Sequence, residues 1–145
     1  MATQNTATAY TPFKARWVQG SPFDIQTTTH DSKPEPDENK HHWYMGFAIP
    51  KGPEWDAVWA TMNNAASQDA LCGAALCGQA GFGWKIEDCD NPNNPQNLGK
   101  ASYPAGHWLI KFTRYRVMGV PPVVDGAFNP IINKAAVKRG DYFYV

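Results

Sequence analysis

An alternating stretch near residue 110 is the feature that most constrains how this chain can fold. Residues 106–116 read GHWLIKFTRYR. Every second position is apolar and aromatic or branched: Trp108, Ile110 and Phe112. The intervening positions hold Leu109, Lys111, Thr113 and Tyr115. Because successive side chains of a β-strand point to opposite faces, this pattern predicts a strand with one packed face and one solvent-facing face.

The solvent-facing side of this strand carries a cation and an aromatic ring, and the run continues into Arg114 and Arg116. Cations interleaved with aromatic rings suit single-stranded nucleic acid, whose phosphates are anionic and whose bases are flat. An ordinary amphipathic strand with a merely solvated polar face would show the same pattern. The alternation by itself leaves both interpretations open.

Charge is unevenly distributed along a chain that is neutral as a whole. At 145 residues it is expected to form one domain with a real core, and aromatic residues make up 13%. Residues 54–99 contain one cation and six anions, whereas residues 100–145 contain seven cations and two anions. The alternating strand therefore lies in the basic third of the chain.

The two ends of the chain also lead to expectations. Residues 1–9 are small and polar, so we expect a disordered start. There is no apolar signal-peptide region and no apolar run of membrane-spanning length. Without a secretory signal, Cys72, Cys77 and Cys89 are expected to be reduced thiols. The sequence stops within the strand-like run DYFYV, so we expect the natural chain to continue beyond Val145.

The remaining pattern predicts a mainly β, α+β fold with one main helix between strands and long loops. The helix begins at Pro53, with apolar residues at helical spacing, and weakens at Asn63-Asn64. Further strands are predicted at Tyr10–Gln19, His41–Ile49, Gly83–Asp88 and Asp141–Val145, with Trp43, Phe47, Trp108 and Phe112 in the core. This order is compatible with a curled, OB-like β-barrel plugged by the helix, although other α+β sheets have the same periodicity.

Four short motifs occur in a familiar order: FAIPK at 47–51, GHWLIK at 106–111, PVVD at 122–125 and VKRGDY at 137–142. With these, the chain over residues 10–145 resembles the phage-encoded single-stranded-DNA-binding proteins with an OB-like fold. The resemblance implies sequence-tolerant binding of single-stranded DNA during phage replication or recombination, in the cytoplasm of the infected host cell. It also implies further C-terminal strands and an acidic tail that would contact other phage replication proteins. The long segment 24–40 and the Cys/Gly-rich middle depart from the family pattern.

Cations and aromatic rings outside the predicted core form the candidate DNA-binding set. Its members are Lys14, Arg16, Tyr44, Lys111, Arg114, Tyr115, Arg116 and Tyr142, with Tyr144 as a further exposed ring. Rings would stack on bases while the cations follow phosphates. A structural or assembly protein of a virion, using the same strands for protein contacts, is the alternative.

Catalytic, metal and cofactor sites are not expected. His41 and His42 are adjacent on a predicted strand, so their rings point to opposite faces and can hardly share one ion. The three cysteines lack the paired short spacing of a zinc site. Asp88 and Asp90 have no second catalytic group that can be placed beside them, and no phosphate loop or nucleophile elbow is present.

Overall fold

A five-stranded antiparallel sheet and one main helix form the frame of the computed structural model, which describes residues 10–70 and 73–145. The elements are β1 (Ala15–Gln26), β2 (His42–Pro50), α1 (Pro53–Gln68), α2 (Gly73–Cys77), β3 (Ile86–Asp88), β4 (His107–Tyr115) and β5 (Tyr142–Phe143). The order across the sheet is β3-β4-β2-β1-β5. The α+β class is confirmed, and the sheet is open, with β3 and β5 at its two edges. The predicted disordered start and Cys72 lie outside the described residues.

The alternating stretch is a strand in an inner position of the sheet. β4 pairs with β2 without interruption from His107 opposite Pro50 to Tyr115 opposite His42. β1 pairs with β2 on the other side, with register shifts between Trp17 and Gln19 and again after Ser21. β1 thus continues through Gly20 and Pro22, beyond the predicted end of this strand at Gln19.

Gly20 permits the close approach of β1 to β2. Its φ of +70° is in the left-handed region, and a Cβ there would lie 1.9 Å from the carbonyl oxygen of Tyr44. Glycine is the residue that combines this backbone conformation with no side-chain bulk. A larger residue at this position would separate the two strands.

One side of the sheet, here called the helix face, packs against α1. Its buried cluster consists of Ala15, Trp17, Phe47, Ile49, Val58 and Ile110. α1 begins at Pro53 with acidic residues in its first turn, as its dipole favours. It does not weaken at Asn63: the amide of that side chain donates to the Trp59 carbonyl at 2.9 Å, so its polar group is satisfied within the helix. Within the described residues, no helix is long and apolar enough to cross a membrane.

The opposite side of the sheet, here called the loop face, is packed as well. Val18, Ala48, Cys89 and Leu109 form a second buried cluster, with Tyr103 against it. Gln19 donates to the Ser102 carbonyl at 2.9 Å, which ties the loop of residues 89–106 to the sheet. The parity predicted for β4 is therefore confirmed, but the prediction that its second face is solvated is wrong at Leu109, because this loop covers it.

The prediction that Phe112 lies in the core is wrong. Its side chain is 38% exposed and contacts Phe47 edge-on, with ring centroids 5.8 Å apart. Trp43 and Phe47 are buried as predicted, and Trp108 is partly buried. The helix face is thus covered by α1 over only part of its area, and the uncovered part is lined by aromatic rings.

Candidate nucleic-acid interface

The structure distributes the predicted DNA-binding residues over three places. Tyr44 of β2 and Lys111 of β4 lie in the middle of the loop face, as diagonal neighbours on the two paired strands. Arg114, Tyr115 and Arg116 lie at the end of β4. The remaining three, Lys14, Arg16 and Tyr142, lie together at the β1–β5 edge of the sheet.

In the middle of the loop face, the charges are already neutralised. Lys111 forms an ion pair with Glu87 of β3. Burial disfavours the ammonium, but the hydrogen bond and charge of Glu87 outweigh it and raise the pKa of Lys111. The Tyr44 hydroxyl donates to the Gln19 side chain at 2.6 Å, and burial raises its pKa. Both side chains are therefore engaged in contacts that stabilise the sheet.

At the end of β4, the two arginines are also engaged. Arg114 donates from Nε to the Gly119 carbonyl at 2.9 Å and from Nη2 to the Met118 carbonyl at 2.5 Å. Arg116 pairs with Glu38 at 2.8 Å, across 78 residues of sequence. Tyr115 is about half exposed, and its ring lies edge-on to His42 at 5.9 Å. A phosphate would have to displace Glu38 to reach the Arg116 guanidinium on that side.

The β1–β5 edge carries an exposed group that we call the edge patch: Lys14, Arg16, Tyr142 and Tyr144. Arg16 and Tyr142 are direct partners in the register of the two strands. Lys14 Nζ lies 5.8 Å from the centre of the Tyr144 ring. The two tyrosines are 62% and 58% exposed. Each of the two cations of the β1 segment thus has a ring of the β5 segment beside it on open surface.

Two further cations adjoin the edge patch. Lys138 and Arg139 are exposed in the turn that precedes β5, and the Arg16 guanidinium lies beside Gly140. Within the described residues, none of the four cations at this edge forms an ion pair with a carboxylate. Lys138 and Arg139 are not in the predicted DNA-binding set, although two adjacent cations before the ring of Tyr142 are a usable signal.

No protein-family model, curated protein or solved structure matches this chain. The likeness noted above therefore rests on its four short motifs. What the interface can do follows from its own side chains.

The partly buried tryptophans contact one another and neighbouring side chains. Trp55 stacks on Trp108 at 5.4 Å and on Trp59 at 6.0 Å, and Lys51 lies 5.2 Å from the centre of the Trp108 ring. Trp84 contacts Trp59 edge-on at 4.9 Å. At least one face of each of the Trp55, Trp59 and Trp108 rings is therefore covered by another ring. The side chains of Trp55 and Trp59 thus serve packing.

The Asp88–Asp90 pair is held by a lysine. Lys51 Nζ lies 2.6 Å from an Asp88 oxygen and 2.8 Å from an Asp90 oxygen. The hydrogen bonds from Lys51 lower the pKa of both carboxyls. Asp90 also accepts from the Gly106 amide at 3.0 Å, so the three side chains fasten the loop of residues 89–106.

Cys89 is buried in the loop-face cluster. Its burial, together with the nearby carboxylates, raises the pKa of its thiol to about 11. A thiol with such a pKa is protonated at neutral pH and packs as a small apolar group. Among residues 10–70 and 73–145, no three His, Cys, Asp or Glu side chains converge as metal ligands would.

An apolar groove opens on the uncovered part of the helix face, with a volume of about 540 Å³. Strand residues Trp43, Phe112 and Arg114 belong to its lining, and the segment 118–128 forms its outer border. Tyr144 also lines the groove, so the groove and the edge patch share that ring. The groove is not predicted from the sequence, because the alternating pattern places the Trp43 and Phe112 rings in a closed core.

Proposed function

We propose that this protein binds single-stranded DNA without sequence preference, as a non-enzymatic component of phage replication or recombination, on an OB-like sheet. The observation that carries the proposal is the edge patch, where each of two exposed cations lies beside an exposed ring at the edge of the sheet. Phosphates can contact the cations while bases stack on the rings, and neither contact depends on base identity.

The spacing of the two exposed tyrosines suits an unpaired strand. Tyr142 and Tyr144 are two residues apart in an extended segment, which separates them by about 7 Å. Neighbouring bases can each reach a ring over this distance only if they unstack from one another. A duplex keeps its bases stacked and paired, so it could offer this edge only its phosphates.

A second part of the interface would be formed by the other predicted DNA contacts, which are Tyr44, Lys111, Arg114, Tyr115 and Arg116. Two of their cations are paired with Glu87 and Glu38. We expect the edge patch to contribute more to affinity, because its cations need no carboxylate to be displaced.

Fluorescence polarisation with a labelled oligo-dT strand tests the proposal. We expect the single strand to bind and an unlabelled duplex of equal length to compete poorly. Lys14→Ala should weaken binding, whereas Lys33→Ala, which removes the same charge from the exposed segment 24–40, should not. Tyr142→Ala should cost about 1–3 kcal/mol of binding free energy. Absence of binding to oligo-dT at low salt would contradict the proposal.

Exposed apolar side chains favour the second candidate, a virion structural or assembly protein. Val117, Val120, Phe128 and Ile132 are each more than two-thirds exposed within one segment. Apolar surface of this extent often marks protein contacts. Sedimentation without DNA distinguishes the candidates: concentration-dependent assembly together with no affinity for oligo-dT would favour the structural role.

A further inference from the structure

The apolar groove on the helix face combines flat rings with a single charge. Aromatic side chains make up nearly half of its lining, and among the described residues that line it, Arg114 alone is charged and no side chain is acidic. A ligand complementary to this lining has a flat apolar body and an anionic group. A nucleotide has both.

Arg114 is fixed in a position to meet such a ligand. Its bonds to the Gly119 and Met118 carbonyls hold the guanidinium by Nε and Nη2. Within the described residues, Nη1 has no hydrogen-bond partner. Because the Arg114 side chain is already ordered, little of its conformational entropy is lost when an anion binds there.

Phe128 presents a ring at the mouth of the groove. It is 78% exposed and adopts a φ of 63°, a conformation that bulky residues rarely take. The Asp125 carboxylate accepts hydrogen bonds from the amides of Ala127 and Asn129, at 2.9 and 3.0 Å, and thereby holds the turn. The turn therefore keeps this ring in water beside the opening.

The groove is continuous with the edge patch through Tyr144, which lines the groove and also lies beneath Lys14. Arg16 projects from the loop face, because its register partner is Ala48. A strand that contacts both Arg16 and Lys14 therefore crosses the β5 edge of the sheet before it reaches the groove's opening. We propose that the groove receives nucleobases of that strand, with Phe112 and Phe128 as stacking surfaces and Arg114 as a phosphate contact. This inference rests on the proposed function, and it assigns the bases to the helix face, opposite to the face predicted from the sequence.

Two DNA strands of equal length and charge test the inference: oligo-dT, and the same backbone with an abasic spacer at every position. The protein should bind oligo-dT at least about 5-fold more tightly, the lower end of what one stacked base contributes. Phe128→Ala should reduce this ratio by a similar factor. Ile132→Ala, which removes a more exposed apolar side chain outside the groove lining, should leave it unchanged. Arg16→Ala should weaken binding of both strands and preserve their ratio.

Each other outcome has a defined meaning. If neither strand binds, the proposed function fails together with the inference. If both bind equally, base stacking fails at the edge patch as well as in the groove, and the inference is wrong. If oligo-dT binds more tightly but Phe128→Ala leaves the ratio unchanged, the inference is wrong while the proposed function stands. If Phe128→Ala dissociates an oligomer and leaves the ratio unchanged, the groove is a protein interface and the inference is likewise wrong.

A second measurement uses the unmodified protein and so does not depend on the folding of a variant. Photocrosslinking to a strand that carries 5-iodouracil, followed by peptide mapping, identifies the residues that touch bases. We expect crosslinks within 112–128 and at 143–145. Crosslinks confined to the loop face would overturn the inference.

Discussion

Leu109→Ala tests how the loop face is packed. The Leu109 side chain is 0% exposed and contacts the cluster of Val18, Ala48 and Cys89. Leu→Ala changes at buried sites cost about 2–5 kcal/mol, depending on how far the site can collapse. One side of this cluster is a loop, which can relax more than a helix, so we expect about 3 kcal/mol. For a domain of this size, that loss lowers Tm by roughly 10 °C.

The assay is thermal unfolding followed by circular dichroism, with Leu98→Ala as the matched control. Leu98 is 45% exposed, so the same chemical change should alter the free energy of unfolding by less than about 0.5 kcal/mol. Equal Tm values for the two variants would refute the packing of residues 89–106 on the sheet. In that case, the second face of β4 would be solvated, as its sequence pattern predicts.

Phe112→Ala extends the comparison to the helix face. If Phe112 were a core residue, as the sequence predicts, its removal would cost about 3–5 kcal/mol. Because more than a third of its surface is already in water and the groove beside it is open, we expect only about 1–2 kcal/mol. A greater loss for Phe112→Ala than for Leu109→Ala would reverse our assignment of the better-packed face.

Three further predictions concern charge. If the two cations of the edge patch and the two neighbouring cations each neutralise one phosphate, the logarithm of the binding constant should fall with the logarithm of salt concentration with a slope of about −3. A slope near zero would exclude phosphate contacts there. Glu38→Gln should tighten DNA binding by freeing Arg116, and unchanged affinity in the same titration would show that Arg116 does not contact DNA. Because Lys51 lowers the pKa of Asp88 and Asp90, its stabilising effect is present above their ordinary pKa of 3.8 and is lost as pH falls through their lower folded-state values. The Tm difference between the wild type and Lys51→Met should therefore be constant between pH 5 and 8 and shrink in acid, and a difference independent of pH would contradict this linkage.

The sequence predicted the strands of the sheet better than the segments that pack on its two faces. Alternation over 106–116 identified β4 and the parity of its side chains correctly, because a strand's period of two is a local property. The cover of Leu109 could not be predicted, because the turn-rich loop that packs on it has no periodicity and contacts the sheet through residues such as Tyr103. The extent of α1 over the helix face, and hence the exposure of Phe112, is likewise set by tertiary packing.

For the candidate site, residue types were predictable and their partners were not. The sequence located Lys111 and Arg116 on or next to the right strand. Their ion pairs with Glu87 and Glu38 join residues 24 and 78 positions apart, which only the folded chain brings together. Lys14 and Tyr144 lie near opposite ends of the sequence, and the pairing of β1 with β5 makes them neighbours.

The brevity of β5 has a kinetic consequence. Two residues pair with β1, and the flanking backbone adds bonds from the Gly140 amide to the Trp17 carbonyl at 2.7 Å and from the Trp17 amide to the Asp141 carbonyl at 2.9 Å. A segment with so few bonds can open while the rest of the sheet stays intact. Tyr142 and Tyr144 move with this segment. A ligand that contacts both β1 and β5 therefore loses its β5 contacts whenever the segment opens, so the rate of opening limits the lifetime of the doubly bound state. Hydrogen exchange of the Gly140 amide would then slow when the site is occupied, even though this amide donates to the Trp17 carbonyl and not to the ligand.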